Sequence, residues 1–75
     1  MGVEDAVRLL LAGGSLRVGS HRVGDLVRMA IAARQGGTHL TIVASYRAGD
    51  MIEIAAAGKG HVTFDIHGAP DVPGR

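Results

Sequence analysis

Two patterns alternate along the chain. The first is an apolar block with an early aspartate: Val3 to Ala12, Val23 to Ala32 and Ala48 to Ala57 align without a gap. Aspartate holds the third column (Asp5, Asp25, Asp50), a charged residue the sixth (Arg8, Arg28, Glu53) and alanine the last (Ala12, Ala32, Ala57). Arg22 and Arg47 also match, just ahead of the second and third blocks. Such self-similarity is the mark of a repeat. Each block predicts a short helix, with the aspartate as its cap: a carboxylate there accepts bonds from free backbone N–H groups and suits the positive end of the helix dipole. Glycines follow each block, Gly13–Gly14, Gly36–Gly37 and Gly58 with Gly60, as left-handed C-terminal caps would require.

The second pattern is period-two alternation. It runs over Leu16-Arg17-Val18, His39-Leu40-Thr41-Ile42 and the longer His61 to Ile66. Alternation with β-branched residues predicts strands with one buried face. The order is therefore α-β-α-β-α-β. Successive strands joined through a helix are normally parallel, with right-handed crossovers. The expected fold class is α/β: a short solenoid of three helix–strand repeats, with a three-stranded parallel sheet in the order 1-2-3 and all helices on one face. In layout this is similar to the leucine-rich repeats, although the Leu-x-x-Leu-x-Leu-x-x-Asn signature is absent and the spacing drifts from 20 to 25 residues. Residues 1–67 are expected to form the single domain. Residues 68–75 hold two prolines and two glycines and are expected to be a disordered tail, or a linker to a tethered domain.

The alternation assigns faces. Leu16, Leu40 and Val62 form one inward ladder, and Val18, Ile42 and Phe64 the next, extended by Ala44 and Ile66. The outward face carries Arg17, His39, Thr41, His61, Thr63 and Asp65. The first and third blocks are apolar nearly all round, which suits helices buried on more than one side. In a repeat stack the outer helices lack a neighbour, and the outer strands leave backbone groups on two sheet edges. Neither edge carries the lysines, prolines or bulges that usually blunt one, and no capping repeat is visible. The simplest remedy is a second copy, its first strand on the third strand of the one before. Such a head-to-tail contact closes into a ring or grows into a filament. The residues expected to carry it are Val7, Leu10, Leu11, Arg17, Val18, Phe64 and Ile66. The partners are copies of the same chain. Alternatively, the polar face of Arg17, His39, Thr41, His61 and Thr63 serves a binding module, holding a peptide or a small anion.

Composition narrows the remaining choices. The 75 residues contain no cysteine, which excludes disulfides and thiolate zinc sites. Aromatics are 3% against 47% hydrophobic residues, so Ala, Val, Leu and Ile must build the core. A net charge of +1 argues against a dedicated nucleic-acid or membrane-surface binder. No apolar run approaches a membrane span, and no signal peptide is visible, so a cytoplasmic protein is expected. Abundant Ala, Gly, Val and Arg with a single Lys suits a GC-rich bacterial genome.

The candidate chemistry is sparse. His39 and His61 stand at equivalent positions, but two imidazoles do not close a zinc site, and His67 falls far along the third strand. Ser15, Ser20 and Ser45 lack a nucleophile motif. Arg22 and Arg47 beside helix starts match an anion site or a salt bridge to a neighbour's acid; no dinucleotide or P-loop signature accompanies them. No enzyme activity, cofactor or metal is expected.

Overall fold

The computed structural model describes residues 2–66. The proposed tail at 68–75 and His67 lie outside the described residues. Three helices alternate with three strands: α1 (Val3–Leu11), β1 (Leu16–Val18), α2 (Val23–Gly36), β2 (Leu40–Ile42), α3 (Ala48–Gly58) and β3 (Val62–Phe64). The strands form one parallel sheet in the order β1-β2-β3. Both pairings keep the expected ladders: Leu16, Leu40 and Val62 in one row, then Arg17, Thr41 and Thr63, then Val18, Ile42 and Phe64.

The first and third rows pack into the core together with Ala6 and Leu10 of α1, five residues of α2 and Ile54 of α3. α2 lies between α1 and α3 and is the most buried helix, with Leu26, Met29, Ala30, Ala32 and Ala33 all inside. The outer helices leave apolar residues in solvent. Leu9 is 38% exposed, Leu11 48% and Ile52 68%.

The local signals differ from expectation in three ways. First, the aspartates do not cap. The residues preceding the helices are Gly2, Arg22 and Arg47, and none makes a side-chain capping bond. Asp5, Asp25 and Asp50 sit in the first turn, where a negative charge favours the N-terminal end of the dipole without closing a bond.

Second, the glycines divide into two kinds. Gly37 adopts the left-handed conformation at φ 67° and ends α2. The N–H of Thr38 donates to the Ala33 carbonyl at 2.9 Å and that of Gly37 to Arg34 at 3.2 Å, a Schellman ending. α1 ends in the same way through Gly13 and Gly14, whose N–H groups donate to Leu10 and Leu9. Gly36 and Gly58, by contrast, are the last residues of α2 and α3. A Cβ on Gly36 would stand 1.9 Å from the Leu10 carbonyl oxygen, and one on Gly58 would stand 2.4 Å from Val62 Cγ2. These two permit close packing. The left-handed residue that ends α3 is Lys59, not a glycine.

Third, β2 and β3 are shorter than the alternation suggested. A strand persists only where its neighbour offers ladder partners. β3 stops at Phe64 as β2 stops at Ile42, and one further bond runs from the Asp65 N–H to the Ile42 carbonyl at 2.8 Å. His39 and His61 precede their strands, and Ile66 lies two residues beyond β3.

Tyr46 ties two loops together. Its hydroxyl accepts from the His21 N–H at 2.8 Å and donates to the His21 carbonyl at 2.7 Å. Each residue stands directly ahead of a repeat arginine, Arg22 or Arg47, so the clasp joins equivalent points of consecutive repeats.

Candidate assembly edges and polar sheet face

The backbone bonds between strands follow one rule. The Leu16 N–H donates to the His39 carbonyl at 3.1 Å, and the Leu40 N–H to the His61 carbonyl at 2.9 Å. At the other end the Val43 N–H donates to Val18 at 2.7 Å, and the Asp65 N–H to Ile42 at 2.8 Å. The step from β1 to β2 is thus repeated from β2 to β3.

A parallel strand directs alternate residues to its two neighbours. Leu16 and Val18 point their backbone groups at β2, which leaves Arg17 facing outward from β1. On β3, Val62 and Phe64 face outward. Val62 occupies the position at which Leu16 and Leu40 donate. Phe64 occupies the position at which Val18 and Ile42 accept. β1 offers the matching groups: the Ser15 carbonyl aligns with those of His39 and His61, and the Gly19 N–H aligns with those of Val43 and Asp65. Among the described residues β1 and β3 are the sheet edges, and their side chains show it. Leu40 and Ile42 on β2 are fully buried, whereas Leu16, Val18, Val62 and Phe64 are half-buried.

The expected self-association residues divide by burial. Arg17, Leu11 and Ile66 are exposed, and Val7, Val18 and Phe64 are half-buried against the core. Leu10 is fully buried between α1 and the rest of the core, so it is not available to a partner surface. Three consecutive leucines do not reveal the helix phase. The spacing of Ala6 and Leu10, four residues apart, sets it, and Leu9 and Leu11 turn outward.

The polar face is knitted by its own side chains. Arg17 Nη2 donates to Asp65 Oδ2 at 2.8 Å, reaching from β1 past β2 to the end of β3. His39 Nε2 and Thr63 Oγ1 are 2.5 Å apart. His61 Nδ1 donates to the Thr38 carbonyl at 2.7 Å, and the Thr38 hydroxyl meets that of Ser15 at 2.6 Å. The two histidines therefore face different partners, and Thr41 stands half-buried between Arg17 and Thr63 in the central row. No group of three or more His, Cys, Asp or Glu side chains among the described residues is placed to hold a metal ion. Arg22 and Arg47 are both exposed at helix starts.

Sequence reasoning missed Tyr46 and Thr38. The signal was present for Tyr46, which sits in the same repeat column as His21. A second ion pair, Arg28 Nη2 to Glu4 Oε2 at 2.7 Å, joins α2 to α1 on the surface. The Arg28 guanidinium holds the Glu4 carboxyl below its ordinary value.

The fold is a small α/β protein with a three-stranded parallel sheet. No helix among the described residues is long and apolar enough to cross a membrane. Comparisons with protein-family models, curated proteins and solved structures found no match.

Proposed function

We propose that this chain is a non-enzymatic assembly module, a short α/β solenoid laid out like leucine-rich repeats. It adds to copies of itself head to tail in the cytoplasm and so scaffolds or clusters whatever is joined to it. The observation that supports this is the repeated strand step. β3 presents the donor and acceptor that β1 and β2 each present to the next strand, and β1 presents the groups that β2 and β3 present to the strand before. Apolar side chains exposed on the outer helices, Leu9 on α1 and Ile52 on α3, belong to the same unfinished stack.

Size-exclusion chromatography with light scattering over a concentration series tests it, with electron micrographs of the earliest fraction. A ring gives one mass at a fixed multiple of the chain, and a filament gives a mass that grows with concentration. Arg17→Pro is the companion variant: its lost N–H faces outward, a position where edge strands tolerate proline. It should retain helical far-UV circular dichroism and lose assembly. Phe64→Glu should also leave soluble monomer or unfolded chain. A wild-type chain that stays monomeric at every concentration refutes the proposal.

A further inference from the structure

Arg17 and Asp65 belong to opposite edges of the sheet, yet in the single chain they are paired. Neighbouring strands lie about 4.8 Å apart, so the Arg17–Asp65 pair spans two such spacings, roughly 10 Å, from β1 to the end of β3. Its side chain is 63% exposed while it does so, and that of Asp65 is 29% exposed. Extending the row Arg17–Thr41–Thr63 by one strand places the Arg17 of an incoming copy directly beside Thr63. That arginine is then one spacing from β3 and diagonal to Asp65, a relation that long side chains bridge readily.

We infer that the Arg17–Asp65 ion pair changes partners on assembly: the pair made within one chain is exchanged for a pair between the Arg17 of one copy and the Asp65 of the copy before it. This rests on the head-to-tail assembly proposed above and adds what fixes its polarity and register. The β1 edge carries the cation and the β3 edge the anion, so only a head-to-tail approach brings opposite charges together. Two β3 edges or two β1 edges would set like charges against each other. Each copy has one such arginine and one such aspartate. A free chain satisfies both internally, and an assembly satisfies both across its joints. The intrachain pair thus competes with the joint.

Charge reversal separates the two arrangements. In Arg17→Asp and in Asp65→Arg the pair is repulsive both within the chain and between identical copies. Mixed in equal amounts, the two variants remain repulsive internally but attract across every alternating joint. Exposed pairs of this kind are worth a few-fold in an equilibrium constant. Each variant alone should therefore assemble at about 2- to 10-fold higher concentration than wild type. The mixture should assemble at or below the wild-type concentration, with both variants incorporated in equal amounts. The advantage of mixing should shrink in about 1 M salt, where the Debye length falls to about 3 Å. Circular dichroism of each variant alone keeps a folding defect distinguishable from an assembly defect.

A mixture no better than its components, beside a double variant Arg17→Asp/Asp65→Arg that assembles like wild type, overturns the exchange and leaves the assembly proposal standing. A wild-type chain that never assembles overturns the assembly proposal itself.

Discussion

Gly36→Ala measures how closely α1 and α2 approach. The added methyl carbon would stand 1.9 Å from the Leu10 carbonyl oxygen and 3.1 Å from the Leu11 Cα. Both atoms are backbone, so no rotamer change relieves the contact. Restoring even 3.0 Å requires the helices to part by about 1 Å, which loosens the packing of Ala6 and Leu10 beneath them. Overpacking of this kind costs about 3 kcal/mol at the upper end of the usual range. Alanine returns at most the helix-interior value of about 1 kcal/mol relative to glycine at this last helical position. The net loss is about 2 kcal/mol, a large part of the roughly 4–11 kcal/mol that a chain this size commonly has. The melting temperature should fall by about 10–15 °C, since domains of this size lose about 4–8 °C per kcal/mol. Gly24→Ala is the control: it lies in the same helix, with nothing within 4 Å of the added carbon, and should raise the melting temperature slightly. The assay is thermal unfolding followed by far-UV circular dichroism at one fixed, low protein concentration, because the proposed assembly would make melting concentration-dependent. A Gly36→Ala chain that melts at or above wild type would refute the close helix contact.

Tyr46→Phe removes both hydrogen bonds of the clasp while keeping the ring. It should cost about 1–2 kcal/mol in urea unfolding, and the His21 amide should exchange faster with solvent. The Glu4–Arg28 pair gives a pH dependence of known sign. The folded carboxyl titrates below its ordinary value of 4.5, so the stabilisation is complete above that value and is lost as pH falls through the folded one. Melts at pH 7 and pH 3 should therefore differ less in Glu4→Gln than in wild type, by a small margin because the pair is exposed.

Much of this architecture was legible because a parallel α/β unit writes two different periods into its sequence. The aspartate columns marked the first turn of every helix, and Leu16, Leu40 and Val62 fell in one ladder as the alternation required. What escaped depends on distances between elements. Nothing local separates Gly37, whose conformation ends a helix, from Gly36, whose missing side chain lets another helix pass. The alternation from His61 to Ile66 is intact, yet β3 has three residues, because ladder length belongs to the pair and β2 offers no more. The polar face was found as a face, but its connections were not. Arg17 finds Asp65 across an intervening strand, 48 residues along the chain, and no spacing rule points there.

The register of the sheet bears on how the chain reaches its native state. Leu16 pairs with Leu40, 24 positions later, and Leu40 with Val62, 22 positions later. Closing a loop costs entropy that grows only with the logarithm of its length, and here each strand pairing closes a loop about one repeat long. No strand has to wait for the opposite end of the chain before it finds its neighbour. The slow search that makes most parallel sheets late to form is thereby divided into short searches of similar length. Joining a further unit would lengthen the molecule without lengthening any of them.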